Sequence, residues 1–445
     1  MTNRKDVTRR GFLKKTAATA VGTISLPYIV RSSALGMAGN TPVSERITVG
    51  CVGVGPQGTA VMRNFLAQND ARVIAVCDVK KTALEAAQKV VNDHYRDTGC
   101  VTHKDFRELI ARKDIDIVSI ATTDHWHVLV ALAAARAGKA IYLEKPMGLS
   151  LAEDQALRDT CHRYGTVFQF GTQQRSSRDF RFACELALNE RIGELRSINV
   201  WCVGSTSGGS PKSLPAPGWI DYDMWLGPAP YTPYTEDRCS NNLWWFISDY
   251  ALGFIAGWGV HPLDIALWGG GKKTKCPCEI EGKAVWPNPG GVCDTAMNWN
   301  VTCKYDSGVT LNYTGNPVPQ EWQKRYEKVI DHGTAFEGTK GWVHVNRAGL
   351  TASPKELLTT ELGPNELHLT ESYNHARNLL DCVKTRAETI CPVDAAVEAD
   401  ILCQISAIAV RLEQKLRWDP AIERFVSNDA ANRRLTRSMR SPWRL

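Results

Sequence analysis

Apolar and polar positions alternate along this chain in two regimes. From residue 46 to about 165, short apolar runs are separated by longer amphipathic stretches. Arg46-Ile-Thr-Val-Gly-Cys-Val52 reads as a buried strand, followed at once by a turn and a helix to about Asn69. Arg72-Val-Ile-Ala-Val-Cys-Asp78 is the next strand, 80–95 a helix, and Ile115–Ala121 a third strand. A helix follows from Thr122 through Ala137, then the strand Lys139–Leu143. Strands alternating with helices predict a parallel, doubly wound sheet, which binds ligands at the carboxyl ends of its strands. Beyond 166 the rhythm shortens. Strand-like segments recur at 195–204, 279–287, 296–304, 308–314, 327–333 and 341–346, with Gly, Asn and Asp turns between them. Helical stretches at about 370–386 and 394–416 close this second domain, which we place at 166–420, with a tail from 421 to 445.

The first strand runs into Gly53-Val-Gly55-Pro-Gln-Gly58, the G-x-G-x-x-G spacing in strand–turn–helix context. Gly53 permits the tight turn, Gly55 lets backbone approach a pyrophosphate, and Gly58 lets the helix sit close to the sheet. The second strand ends in Asp78, twenty residues past Gly58. An acid there accepts both adenosine ribose hydroxyls and repels a 2′-phosphate, so NAD is expected and NADP is less favoured. Thr122-Thr-Asp-His-Trp-His127 and Glu144-Lys145-Pro146 fall at the same sheet edge.

Of the 445 residues, 43% are hydrophobic and 22% charged, which excludes collagenous, coiled-coil and mainly disordered chains. The net charge of +6 is concentrated at the start. Residues 1–40 carry seven basic residues against one acid, so the remainder is neutral and no argument for a nucleic-acid partner survives. Thr8-Arg9-Arg10-Gly11-Phe12-Leu13-Lys14 precedes a modest apolar run broken by Gly22 and Pro27. This resembles a twin-arginine signal over 1–38, with 39–45 as linker. It implies the twin-arginine export machinery as a partner and a periplasmic or otherwise exported destination. Of the 14 cysteines, Cys276, Cys278, Cys293 and Cys303 are numerous enough for a four-thiolate zinc site. They lie on alternating stretches and the second pair lacks close spacing, so buried thiols and no metal are expected.

At Glu144-Lys145-Pro146 the chain resembles the glucose–fructose oxidoreductase/inositol dehydrogenase/MocA (Gfo/Idh/MocA) family of sugar dehydrogenases. The likeness continues through Asp-His-Trp-His127, Phe170-Gly-Thr-Gln-Gln-Arg175, Trp225-Leu-Gly-Pro-Ala-Pro230, Trp258-Gly-Val-His261-Pro-Leu-Asp264, and the tail from Trp418-Asp-Pro to Pro442-Trp. It implies an α/β fold: an N-terminal Rossmann domain and a C-terminal α/β domain with an open, mostly antiparallel sheet. One face of that sheet commonly forms an oligomer contact, so a homodimer or homotetramer is expected.

Oxidising a carbinol requires a base for the hydroxyl proton and a donor or positive charge for the developing alkoxide. By this resemblance Lys145 is the donor, aimed by a cis Pro146, and His261 the base, with Asp264 one helical turn on. Gly53, Gly55, Gln57, Gly58, Asp78, Thr122, His127, Glu144 and Lys145 are expected around the cofactor, and Gln173, Arg175 and Trp258 around the substrate. Tryptophans concentrated between 201 and 342 fit a sugar platform. One position departs. The family usually carries Asp four residues before the histidine, and here that position is Gly257. The acid is then absent, or supplied by Asp249 or Asp264. Three functions follow: an NAD-dependent oxidoreductase of a sugar, glycoside or cyclitol hydroxyl; a glycosidase that uses NAD transiently, as NAD-dependent N-acetylgalactosaminidases do; or a sugar-binding relative without turnover.

Overall fold

The computed structural model describes Pro42, residues 45–239 and residues 243–445. The expected signal segment 1–38 and most of the linker lie outside the described residues. Six parallel strands form the first sheet: β1 (Ile47–Val52), β2 (Ala71–Cys77), β3 (Val101–His103), β4 (Ile117–Ile120), β5 (Ala140–Leu143) and β6 (Phe168–Phe170). Their order is β3-β2-β1-β4-β5-β6. Every residue of β4 and β5 is buried, as strands covered by helices on both faces require. The helices are α1 (Pro56–Leu66), α2 (Lys81–Tyr95), α3 (Phe106–Ile110), α4 (Asp124–Arg136) and α5 (Leu151–Tyr164). Strand order reverses between β1 and β4, which opens a crevice above their carboxyl ends.

Two expectations shift here. The sheet includes β6, so the first domain runs past the expected boundary at 165. The short β3 carries no apolar run and so leaves no strand signal in the sequence.

The second sheet has nine strands: β7 (Leu195–Trp201), β8 (Cys278–Val285), β9 (Asn298–Tyr305), β10 (Thr310–Thr314), β11 (Gly333–Gly338), β12 (Trp342–Asn346), β13 (Gly349–Ser353), β14 (Leu416–Asp419) and β15 (Arg424–Phe425). Their order is β13-β12-β11-β7-β10-β9-β8-β14-β15, and only the β7–β10 pair is parallel. Helices α6 (Arg178–Leu188), α7 (Val260–Gly270) and α9 (Val393–Leu412) pack against this sheet. On β8, Cys278 and Ile280 point into the core while Glu279 and Glu281 are exposed, the period of two read from the sequence. The outer positions of β7, β9 and β10 are polar, with Asn312 Nδ2 donating to Asn199 Oδ1 at 2.9 Å.

The strand expected at 327–333 is instead β11. Val329 packs with Trp322 and Tyr326 against Trp201, and the Tyr326 ring lies parallel to the Trp201 ring at 5.9 Å. A second correction concerns α8 (His375–Thr385), expected to close the second domain. Its apolar face, Ala376, Leu379 and Leu380, instead completes the core between β1, β2 and α1. Arg377 and Lys384 on the same helix pair with Asp70, and the Arg377 hydrogen bond leads in lowering the Asp70 carboxyl to about 2. The tail is likewise anchored. Trp443 stands edge-on to Trp126 at 4.6 Å. All 14 cysteines are free thiols; Cys278 and Cys303 lie in the main core and Cys293 in a separate aromatic cluster. Among the described residues, no helix is long and apolar enough to cross a membrane.

Candidate active site

The fingerprint glycines divide by what a side chain at each would meet. A Cβ on Gly53, whose φ is +78°, would fall 2.5 Å from the Ala121 carbonyl oxygen. One on Gly58 would fall 1.9 Å from the Gly53 oxygen, so these two let β1, β4 and α1 touch. Nothing lies within 4 Å of a Cβ on Gly55, which lines a cavity instead. Gly55 caps α1 without a side-chain hydrogen bond, leaving the helix end open toward that cavity. Asp78 Oδ2 accepts from Val54 N at 2.9 Å and Oδ1 from Lys80 N at 2.8 Å. Burial raises the Asp78 carboxyl and these backbone donors oppose the rise. Each oxygen keeps a further lone pair. An open helix terminus, a cradle that a Cβ at 55 would fill and an oriented carboxylate fit a dinucleotide. A segment of the second domain closes over this end: Lys81 N donates to Trp219 O at 2.8 Å, Asp221 N donates to Val79 O at 3.0 Å, and Lys80 Nζ donates to the Cys239 carbonyl.

The cavity, about 900 Å³, is continuous from this cradle to the end of β5 and the start of α7. Glu144, Lys145 and Pro146 follow β5, and the Lys145–Pro146 peptide is cis. Glu144 is buried. Its Oε1 accepts from Gln57 Nε2 at 3.0 Å and Gln173 Nε2 at 2.9 Å, so it ties α1 to the turn after β6. Lys145 Nζ donates to the Gly257 carbonyl at 2.7 Å. At the position where the resemblance implies an acid, a backbone acceptor meets the lysine. Thr122 and His127 also line the cavity. His127 Nδ1 lies 2.6 Å from Pro146 O and Nε2 3.1 Å from Thr122 O. Burial holds this imidazole at about 4, so it is neutral at pH 7 and donates to one carbonyl at a time.

His261 lines the cavity from the first turn of α7. Burial, then the charges of Lys145 and Arg347, hold it well below its ordinary value, so the ring is neutral. Its Nδ1 is buried without a hydrogen-bond partner among the described residues. Trp258 stands edge-on to it at 5.3 Å.

Asp264 and Arg175 sit elsewhere. The guanidinium Nε and Nη2 contact the Asp264 carboxylate at 2.6–3.0 Å, both side chains are buried, and neither lines the cavity. The i, i+3 spacing put Asp264 on the His261 face, but Arg175, stacked 5.0 Å from the Trp268 ring, draws the carboxylate away from the cavity. Asp249 does not line the cavity either. The acid missing at 257 is therefore supplied by neither of them.

Asp124 and Arg347 are among the cavity residues that the sequence does not single out. Asp124 opens α4 inside the Asp-His-Trp-His motif, where a helix-starting acid was the available signal. Its Oδ2 is buried without a partner among the described residues, and burial pushes the carboxyl well above the usual range. Arg347 lies in the turn between β12 and β13, and only the sheet topology brings it to the cavity. Trp225, Trp244, Trp245 and Phe254 form an aromatic wall.

The family model for the oxidoreductase NAD-binding Rossmann fold matches residues 47–172, and that for the family's C-terminal alpha/beta domain matches 199–445. A glycosyl hydrolase family 109 protein of Shewanella amazonensis is 33% identical over 168 residues, which span 35% of this chain and 36% of that relative. Among solved structures, an aldose–aldose oxidoreductase from Caulobacter crescentus superposes with TM-score 0.61 at 19% identity, covering 84% of this chain and 99% of that one. The WlbA dehydrogenase from Bordetella pertussis, solved with NADH and UDP-GlcNAcA, gives 0.61 at 14% identity over 84% and 98%. At these identities the superpositions speak for the fold.

Proposed function

We propose, for a chain that belongs to the Gfo/Idh/MocA oxidoreductase family, an NAD-dependent oxidation of a CH–OH group on a sugar, glycoside or cyclitol. One observation carries the reading. Lys145 and His261 stand at one end of a single cavity whose other end is the Gly53–Gly58 cradle with Asp78. A bound nicotinamide supplies the hydride acceptor. Lys145, anchored on the Gly257 carbonyl, keeps two N–H donors for a substrate hydroxyl, and its charge stabilises negative charge on that oxygen. Neutral His261 takes the hydroxyl proton. Burial favours the neutral form of Asp124, and Glu144 accepts hydrogen bonds from two glutamine amides. The Arg175–Asp264 pair positions α7 and touches no reacting atom. Asp78 favours NAD over NADP, and the nearby Lys80 ammonium is occupied by the Cys239 carbonyl.

The second reading is a glycosidase in which the dinucleotide ends unchanged, and the relatives named glycosyl hydrolase family 109 favour it. Incubating dinucleotide-loaded protein with nitrophenyl glycosides separates the two. Net absorbance at 340 nm without phenol supports the oxidoreductase; phenol release without net absorbance supports the glycosidase. In either case Lys145→Ala should lose about 3–4 kcal/mol of transition-state stabilisation. His261→Ala should be slower by roughly 10²–10⁴-fold. Near-normal turnover in either variant refutes the site.

We also propose that Arg9 and Arg10 direct export, and that the outer face of the second sheet pairs copies of the chain. Outside the cytoplasm no dinucleotide pool is replenished, so the cofactor must stay bound. The contacts of Trp219, Asp221 and Cys239 with the Asp78 loop suit such retention. Exchanging Arg9 and Arg10 for Lys should strand the protein in the cytoplasm; unchanged secretion refutes the signal. Light scattering reads the oligomer.

A further inference from the structure

Among the described residues that line the cavity, Arg347 is a cation that no carbonyl or carboxylate of the protein holds. Lys145 is held by the Gly257 carbonyl and Lys80 by the Cys239 carbonyl. Among the described residues, no acceptor hydrogen-bonds Arg347 and no carboxylate lies within ion-pair distance of it. The two acids whose charge reaches it are committed elsewhere. Asp331 pairs with His332 Nδ1 at 2.8 Å, and Glu144 accepts from Gln57 and Gln173. Arg347 is solvent-exposed, and partial burial lowers its pKa while the charges of Asp331 and Glu144 oppose the fall.

Its placement is built. Asn346 Oδ1 accepts from Ala348 N at 2.8 Å and Asn346 Nδ2 donates to Lys328 O at 2.8 Å, which fixes the turn on both sides of Arg347. The guanidinium carbon sits 4.9 Å from the Trp258 ring centroid, and Trp258 in turn stands edge-on to His261. Resting one face on an indole leaves the edge donors of a guanidinium free, in the fork that matches a planar carboxylate. Burial favours the neutral form of the Asp124 carboxyl, which lessens its repulsion of an anion.

We propose that Arg347 is a specificity residue that receives a carboxylate on the substrate, so that the sugar taken by this site is a uronic acid or uronoside rather than a neutral hexoside. This rests on the reading of the cavity as a sugar site. The test is binding to dinucleotide-loaded protein, by calorimetry and thermal shift, with D-glucuronate and D-galacturonate against D-glucose and D-galactose; galactose 6-sulfate distinguishes a sulfate from a carboxylate. A uronate should bind more tightly than its neutral counterpart. Arg347→Gln should weaken the uronate about 10- to 100-fold while moving the neutral sugar less than about twofold. Arg347→Lys, which keeps the charge and loses the fork, should fall between. Circular dichroism checks the folding of both variants. Neutral sugars binding as well as uronates, or uronate affinity unchanged in Arg347→Gln, overturns the proposal and leaves the sugar reading standing. Dependence on Arg347 for the sulfate alone overturns the carboxylate assignment. Failure of every sugar to bind overturns the sugar reading and the proposal with it.

Discussion

Replacing Asp264 by Asn separates a positioning acid from a catalytic one. In the structure its carboxylate takes three contacts of 2.6–3.0 Å from Arg175, with side-chain exposures of 0% and 8%. Removing one charge of such a pair leaves the other buried and uncompensated, which costs about 3–5 kcal/mol. The unit Ile47–Leu445 has about 400 residues, and unfolding entropy near 2.1 cal/mol/K per residue gives about 0.8 kcal/mol/K. Asp264→Asn should therefore lower Tm by about 4–6 °C in a calorimetric melt, with a matching fall in the urea midpoint. The double exchange Arg175→Met with Asp264→Leu removes both charges and fills similar volume, so it should recover most of that loss. A Tm within 1 °C of the parent, together with a hundred-fold loss of turnover, would refute the reasoning. The carboxylate would then be acting on substrate and not on Arg175.

Two further outcomes are expected. Gly55→Ala should fold and melt like the parent but bind NAD more weakly, because its Cβ enters open cavity; Gly58→Ala should melt several degrees lower, because its Cβ meets the Gly53 oxygen. Equal NAD affinity in the first, or an unshifted melt in the second, contradicts the division of roles. Glu153 is buried at the start of α5, and burial lifts its carboxyl to about 7, against the opposing hydrogen bond from Leu149 N. Its folded pKa exceeds the unfolded one, so its stabilising effect is complete below about 4.5 and disappears as pH rises through 7. Glu153→Gln should accordingly gain about 3 kcal/mol on the parent between pH 5 and pH 8.5, read as diverging melts; parallel melts across that range refute the shift.

The alternation of short apolar runs and amphipathic stretches determined the first domain, because side-chain periods of 2 and 3.6 are local properties of the backbone. Glycine spacing determined the cradle for the same reason: a turn needing positive φ and a helix pressed on a strand are decided within six residues. Lys145, His261, Thr122, His127, Gln57, Gln173 and Trp258 all reach the cavity that their motifs predicted. What tertiary structure decided lies at long sequence separation. Helix α8 carries an apolar face that fits either domain, and Asp70, more than three hundred residues earlier, helps hold it to the first. Asp264 has the spacing of a catalytic partner, but a buried carboxylate turns to the nearest cation that can compensate it, and that cation is Arg175. Asp249, Gly257, Asp124 and Arg347 are likewise placed by residues distant in sequence. Whether an acid meets solvent, whether a backbone carbonyl meets a lysine, and whether a hairpin arginine overlooks a cavity depend on what the fold places opposite them, and no local pattern encodes the opposite wall.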